Sequence, residues 1–251
     1  MLSRPLRSLA AAWIFLTRIP LPAMALEEED FAAAPAFYPL VGLLVGAIGA
    51  AALAAGHALA SPVIAALLAL AATLLATGAF HEDGLADLFD GLGAATRERM
   101  MEVMRDSRLG TFGAAALGVA LALKVAALAE LPPALALAAL PLAHGVSRLS
   151  AVLVIATSSY VRAAGLAKPV AQGIGRGALA AAIATGLGAL GLFGLVAGGG
   201  AVLAAVAGCV VGHVAIRLLF ERRLGGYTGD CLGAVQQASE LGVYLALVAW
   251  L

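Results

Sequence analysis

Three aspartates, Asp83, Asp87 and Asp90, recur at i, i+4 and i+7 within His81-Glu82-Asp83-Gly84-Leu85-Ala86-Asp87-Leu88-Phe89-Asp90-Gly91. On a helix they share one face, within about 60° at 3.6 residues per turn. Carboxylates stacked so closely repel one another at neutral pH. The arrangement becomes favourable when a divalent cation sits among them. Oxygen donors suit a hard cation, and Mg²⁺ usually takes one or two carboxylates together with substrate phosphates. The alternative is a solvated acidic loop, against which stand the apolar Leu85, Leu88 and Phe89.

A second group is Arg105-Asp106-Ser107-Arg108, closing a stretch in which Thr96 is placed to cap a short helix. Glu98 falls in the first turn of that helix, and Met100, Met101 and Met104 give it an apolar face. Two arginines beside an aspartate suit bidentate phosphate binding, with Asp106 as a further metal ligand. The plainer alternative is a charge cluster that stops a helix at the membrane surface. A third group is Gly225-Gly226-Tyr227-Thr228-Gly229-Asp230, followed by Gly233, Gln236, Gln237 and Glu240. Glycines let backbone N–H groups approach an anion, and Asp230 could reach the same metal or a second one. The segment lacks the Gly-Lys-Ser/Thr end of a Walker loop, and a plain turn is the alternative. Arg222 and Arg223 just before it fit an anion site or a positive-inside anchor.

Other polar groups lie inside apolar runs. Gln236 and Glu240 share a helix face, and a carboxylate at membrane depth is a functional candidate. Arg148, with His144 one turn earlier, carries a cost of roughly 2.5–3.5 kcal/mol on insertion scales. It is therefore expected to face the bundle and to pair with an acid or a substrate phosphate. Lys124 is expected to snorkel towards the outer surface near Glu130. His57 and His213 read as packing residues, and Cys209 and Cys231 as bystanders. The segment Tyr160–Arg176 contributes Arg162, Lys168 and Arg176. Carboxylates, arginines and glycines on one side of a membrane describe a divalent metal holding a pyrophosphate. Nothing resembles a Ser-His-Asp triad, a redox motif or a haem site.

The elements that must position these groups are membrane helices. Of 251 residues, 63% are hydrophobic and 12% charged, with a mean hydropathy of +1.01. A soluble domain is roughly 45–50% apolar and about 25% charged. This composition excludes a disordered chain and a nucleic-acid binder, and leaves too little charge to cover a water-soluble surface. The expected fold is all-α, a polytopic membrane helix bundle forming one integral membrane domain over 1–251. About seven transmembrane helices are expected, roughly over 38–60, 62–80, 110–131, 134–157, 177–197, 200–219 and 235–251. Segment 81–109 is expected to be a cytoplasmic acidic catalytic loop. Gly42/Gly46 and Gly194/Gly198 are small-residue pairs that suit packing within the chain.

Charge placement sets the sidedness. With this layout, 13 of 15 basic residues fall in the N-terminal segment, 81–109, 158–176 and 217–234, while the opposite side has none. Short loops rich in Lys and Arg stay in the cytoplasm, so the N-terminus is expected there. Residues 1–30 are expected to form an interfacial N-terminal segment rather than a cleaved signal, because Arg18, Pro20 and Pro22 interrupt the short run Leu9–Leu16. The acidic run Glu27–Asp30 reads as a solvated helix start.

These motifs together are similar to those of the cobalamin synthase family (adenosylcobinamide-GDP ribazoletransferase). The resemblance runs along nearly the whole chain. It includes Phe15-Leu16-Thr17-Arg18-Ile19-Pro20, Phe37-Tyr38-Pro39-Leu40-Val41-Gly42, Asp83-Gly84-Leu85-Ala86-Asp87 with Asp90-Gly91, Met104-Arg105-Asp106-Ser107-Arg108-Leu109-Gly110, and Gly226-Tyr227-Thr228-Gly229-Asp230 with Gly233-Ala234. Leu88-Phe89 and Arg105, the latter usually Lys in the family, are departures that remove no metal ligand.

The resemblance implies a Mg²⁺-dependent phosphotransferase of the bacterial cytoplasmic (inner) membrane, with its active site facing the cytoplasm. A hydroxyl of α-ribazole, or of α-ribazole 5′-phosphate, attacks adenosylcobinamide-GDP and GMP leaves. On that footing Asp83, Asp87, Asp90, Asp106 and Asp230 are the expected metal ligands. Asp83, Asp87, Arg105, Arg108 and Arg148 are expected to be catalytic. Arg105, Arg108, Arg148, Arg162, Lys168, Gly226, Thr228, Gly229 and Gln237 are expected to bind substrate. The expected partners are these substrates and the lipid bilayer, without nucleic acid, and a homo-oligomer is compatible with the sequence. The rivals are a CDP-alcohol phosphotransferase making phospholipid and a transporter with Asp87, Arg148 and Glu240 along its path. Charges crowded into cytoplasmic segments argue for surface chemistry over a midplane pathway.

Overall fold

The computed structural model describes residues 3–59, 61–162 and 173–251, and Lys168 lies outside them. Among the described residues the regular elements are helices. These are α1 (Arg4–Leu16), α2 (Glu28–Ala33), α3 (Tyr38–Leu59) and α4 (Pro62–Thr77). Next come α5 (Phe80–Leu92), α6 (Arg97–Val103), α7 (Thr111–Glu130) and α8 (Pro133–Thr157). The last two are α9 (Arg176–Leu224) and α10 (Gly229–Trp250). A 3₁₀ turn, Ala34–Phe37, joins α2 to α3.

Among the described residues five stretches are long and apolar enough to cross a membrane: Glu28–Leu59, α7, α8, α9 and α10. A sixth arises if α4 and α5 count together, although they are bent by 90°. The 49 residues of α9 would extend over twice the ~30 Å of a hydrocarbon core as one straight rod. They do not, because Gly198 leaves helical geometry at φ 82° and ψ 166°. A Cβ on Gly194 would lie 3.2 Å from Val202, so the two arms of α9 fold back on each other. This is where the sequence places the turn Gly198-Gly199-Gly200.

Small residues set how closely the spans approach. A Cβ on Gly42 would fall 2.2 Å from the His144 carbonyl oxygen, and one on Gly46 2.5 Å from that of Leu140. The pair therefore packs α3 against α8, within the chain as expected. The second arm of α9 meets α10 in the same way, Gly208 against the backbone of Gly242.

Helix α1 has 13 residues, about 20 Å at 1.5 Å per residue, too short to cross. Ala11, Ala12 and Leu16 are buried, and Phe15 stacks on Tyr38 at 6.0 Å and meets Phe80 edge-on at 5.3 Å. The acidic run starts α2 with Glu27, Glu28 and Glu29 exposed as expected, and only Asp30 departs from the solvated reading. Asp30 is fully buried, receives the Glu27 N–H at 3.0 Å and pairs with Arg7 at 3.2 Å. A carboxylate closing a capping box on α2 and meeting an arginine on α1 no longer needs water.

The acidic segment is helical rather than a loop. After α4 the chain turns through two consecutive left-handed residues, Gly78 (φ 66°) and Ala79 (φ 55°). The Arg18 N–H donates to the Ala76 carbonyl at 2.7 Å, which ties the N-terminal segment to this elbow. Helix α5 leaves the elbow at a right angle to α4, with Leu85, Ala86 and Leu88 buried and Asp83 exposed. Thr96 then caps α6 by accepting the Arg99 N–H at 3.2 Å, as its position predicts.

Candidate active site

Helix α5 crosses α10 at a pair of glycines. A Cβ on Gly84 would lie 2.8 Å from the Asp230 carbonyl oxygen and 3.2 Å from the Gly233 Cα. A Cβ on Gly233 would lie 2.9 Å from the His81 carbonyl oxygen. Only a bare backbone on both helices permits this approach. It carries Asp83 and Asp87, on either side of Gly84, up to Asp230 in the first turn of α10. Burial, then Asp230 and Asp83, push the Asp87 carboxyl up to about 7, with Asp90 adding to the rise and Arg162 opposing it. Carboxylates so arranged disfavour one another's charge, and a cation between them would remove that penalty.

Asp230 is held on its other side. Arg162 pairs with it at 2.7 Å and also donates to the Met104 carbonyl at 3.3 Å. Thr228 is fully buried and caps α10, accepting the Cys231 N–H at 3.4 Å and donating to Asp230 at 3.3 Å. The glycines before it serve backbone pairing. A Cβ on Gly226 would lie 2.3 Å from the Ser159 carbonyl oxygen. There the Tyr227 N–H donates to Ser159 at 2.9 Å, and the Val161 N–H to Tyr227 at 3.0 Å. This short parallel bridge anchors Tyr160, Arg162 and Asp230 together, with the Tyr160 and Tyr227 rings 5.6 Å apart. Gly226 and Thr228 therefore shape the site from behind, and the Tyr227 N–H is committed to Ser159.

The other expected ligands lie beside this cluster. Asp90 accepts the Gly110 N–H at 2.7 Å and the Gly113 N–H at 2.8 Å, so both its oxygens close the first turn of α7. Asp106 is gripped by Arg108, whose Nη2 donates at 2.6 Å and Nε at 3.0 and 3.1 Å to the two oxygens. Those bonds hold the Asp106 carboxyl down to about 2. Asp90, Arg99, Glu102, Asp106, Arg108 and Gly110 line a polar cavity of about 350 Å³ next to the acid cluster. Arg105 is exposed and makes no ion pair among the described residues.

Three further side chains lie inside the bundle. Arg148 faces the bundle as expected: it is 1% exposed, donates to the His144 carbonyl at 2.9 Å and borders a small cavity with His81, Gly229 and Gly233. Gln237, expected at the substrate, is buried between helices. Lys124 does not snorkel. It is 2% exposed and pairs with Glu240 at 2.7 Å, because Glu240 and Gln237 present acceptors that a water-starved ammonium can reach. Glu82 was not singled out by the sequence, yet it is buried and accepts from Gln237 at 2.9 Å. The signal was available: Glu82 falls on the stripe 82/85/86/89, otherwise apolar.

Among the described residues no three His, Cys, Asp or Glu side chains converge closely enough to hold a metal unaided. The donor chemistry at the crossing is nonetheless that of a hard cation, oxygen only. Mg²⁺ ordinarily completes such a shell with substrate phosphates and water. Asp83, Asp87 and Asp230 fit such a partial shell; Asp90 already accepts the Gly110 and Gly113 N–H groups, and Asp106 already accepts from Arg108.

A profile of the family described as cobalamin-5-phosphate synthase matches residues 8–248. The chain is 47% identical over 251 residues to the adenosylcobinamide-GDP ribazoletransferase of Ralstonia nicotianae, covering 97% of this chain and 95% of that protein. It is 42% identical over 241 residues to the protein of the same name from Shewanella halifaxensis, covering 93% and 92%. It is 41% identical over 246 residues to that of Ralstonia pickettii, covering 94% and 93%. No solved structure matches it.

Proposed function

The chain belongs to the cobalamin-5-phosphate synthase family, and from that premise we propose that it transfers α-ribazole, or α-ribazole 5′-phosphate, onto adenosylcobinamide-GDP. The hydroxyl oxygen of the ribazole forms a bond to the cobinamide-side phosphorus. The bond from that phosphorus to the oxygen bridging to GMP breaks, GMP leaves with that oxygen, and the hydroxyl proton is released. The observation that carries this reading is the carboxylate cluster at the Gly84–Gly233 crossing, where Asp87 is raised to about 7 by burial and by Asp230 and Asp83.

Asp83, Asp87 and Asp230 would hold Mg²⁺. When bound, the ion supplies charge for the phosphoryl oxygens in the transition state. Arg162 fixes Asp230 so that one oxygen edge stays turned to the cluster. Arg105 meets the diphosphate from the solvent side, and Arg108 reaches it by exchanging Asp106 for phosphate. The half-buried Tyr160 borders the same opening.

The site faces the cytoplasm in this reading. Counting α4 and the two arms of α9 as separate crossings gives seven, with the N-terminus inside. The support is the 13 basic residues that then share one side. The deciding experiment supplies adenosylcobinamide-GDP, α-ribazole and Mg²⁺ to the purified protein and measures GMP. Release of GMP with formation of the joined product is the expected result. Solute flux in vesicles without GMP would replace this reading with transport.

A further inference from the structure

We propose that Lys124, acting through the carboxamide of Gln237, sets the rotational position of α5 and so is a positioning residue for the acid cluster. The proposal rests on reading α5 as the acid-bearing helix of the active site. Lys124 Nζ donates to Gln237 Oε1 and to Glu240 Oε1, each at 2.7 Å. An ammonium has donors only, so only the oxygen end of the carboxamide can face it. The nitrogen end is thereby turned away, and its two protons are both used. One goes to Glu82 Oε1 at 2.9 Å and the other to Gln236 Oε1 at 2.8 Å. A reversed carboxamide would place its nitrogen against the ammonium and its oxygen against the Glu82 carboxylate. The charges at the two ends therefore dictate one orientation.

The far end of this chain of bonds is itself fixed. Glu240 Oε2 accepts from Gln236 Nε2 at 2.7 Å and lies 3.5 Å from His144 Nδ1, while Gln236 also donates to Ser147 at 2.9 Å. Lys124, Gln237 and Glu240 are each 2% exposed and Glu82 is 8% exposed, so water does not substitute for a lost partner. Glu82 is the residue immediately before Asp83, about 100° away around the helix. Holding its carboxylate fixes the rotation of α5 about its axis. That rotation decides whether Asp83 and Asp87 meet Asp230 at the glycine crossing. A cation inside the membrane domain thus fixes, through one amide, where the acids at the surface point.

The test is hydrogen exchange of the full-length protein in nanodiscs, read by mass spectrometry, alongside GMP release. Gln237→Leu keeps the Lys124–Glu240 pair and removes the arm to Glu82 together with the Gln237 bonds to Lys124 and Gln236. Loss of a bond to a charged group implies that α5 amides exchange at least about tenfold faster. The α3 and α8 amides should be unchanged, and GMP release should fall in parallel. Lys124→Met lets the Gln237 amide turn its nitrogen from Glu82 to the Glu240 carboxylate left without its ammonium, so α5 should loosen. Adding Glu82→Gln should restore its protection to within about threefold, because a glutamine at that position can donate to the turned Gln237 oxygen. Unchanged α5 exchange in Gln237→Leu would overturn the proposal. So would uniform loosening of all helices, or failure of Glu82→Gln to restore protection. Exchange needs no substrate, so these outcomes stand whether or not GMP is released.

Discussion

Substituting Gly84 by alanine puts the geometry of the site under a direct strain. The added Cβ would stand 2.8 Å from the Asp230 carbonyl oxygen, 3.0 Å from the Asp230 Cα and 3.2 Å from the Gly233 Cα. Comfortable separations are about 3.5–4.0 Å, so α5 and α10 must part by roughly 0.7–1 Å. The obstructing atoms are backbone, and no side chain can rotate away to absorb the shift. Overpacking of this kind costs about 1–3 kcal/mol, and alanine returns about 0.8–1 kcal/mol in helix propensity. The net loss of stability is therefore modest. The effect on turnover is larger, since a displacement of about 1 Å among reacting groups can cost about 100-fold. The expected result is a folded protein with kcat for GMP release lowered by about two orders of magnitude. Gly118→Ala is the matched control, because a Cβ there meets nothing within 4 Å. It should leave turnover unchanged. If Gly84→Ala turns over within about threefold of the parent, against the 100-fold expected from displacement, the acid cluster does not depend on this crossing.

Further expectations follow from individual side chains. With Asp87 titrating near 7, the proton competes with the cation, so half-maximal Mg²⁺ should rise about eightfold between pH 7.5 and pH 6. Asp83→Asn and Asp87→Asn should each abolish turnover while the protein still inserts and purifies; near-normal rates at limiting Mg²⁺ would refute the ligand assignment. The Asp87 carboxyl holds its proton to about 7 when folded, against 3.8 as its ordinary value. The metal-free protein should thus lose stability as pH rises through that interval, which thermal melts in detergent can follow. Asp90→Asn should cost about 0.5–2 kcal/mol as a lost helix cap and leave the Mg²⁺ midpoint in place; a shift equal to that of Asp83→Asn would return Asp90 to the metal. Gly208→Val should prevent α9 and α10 from docking, since even a Cβ there would stand 2.0 Å from the Gly242 carbonyl oxygen; monodisperse protein on size exclusion would contradict this.

The sequence makes the family, the helical membrane architecture and the acid-bearing helix legible for physical reasons that differ. Hydropathy marks the spans because the bilayer imposes one length on all of them. Asp83 and Asp87 stand out because carboxylates one turn apart are costly without a cation. Thr96 is readable because capping is local, and Gly42/Gly46 because a backbone contact between helices needs small residues four apart. The remaining errors share one cause. Lys124 looks like a snorkelling lysine when only its neighbours are considered, since its partner Glu240 is 116 positions away. Asp90 has the spacing of a third ligand, and that spacing does not show that it also accepts N–H groups of α7 from 20 and 23 positions on. Gln237 has its partners Lys124 and Glu82 113 and 155 positions away. Which face of a helix meets which neighbour is a tertiary fact, and local spacing does not contain it.

The pairing of Glu82 with Gln237 spans 155 positions, and this has a consequence for biosynthesis. Glu82 and Lys124 emerge from the ribosome well before Gln237 and Glu240 exist. Throughout that interval both lack the hydrogen-bond partners that α10 supplies. A chain that stops short of α10 lacks Asp230 and leaves the Lys124 ammonium without Gln237 and Glu240. The last helix thus acts as a completion seal: the same insertion that pairs those charges also brings Asp230 to α5.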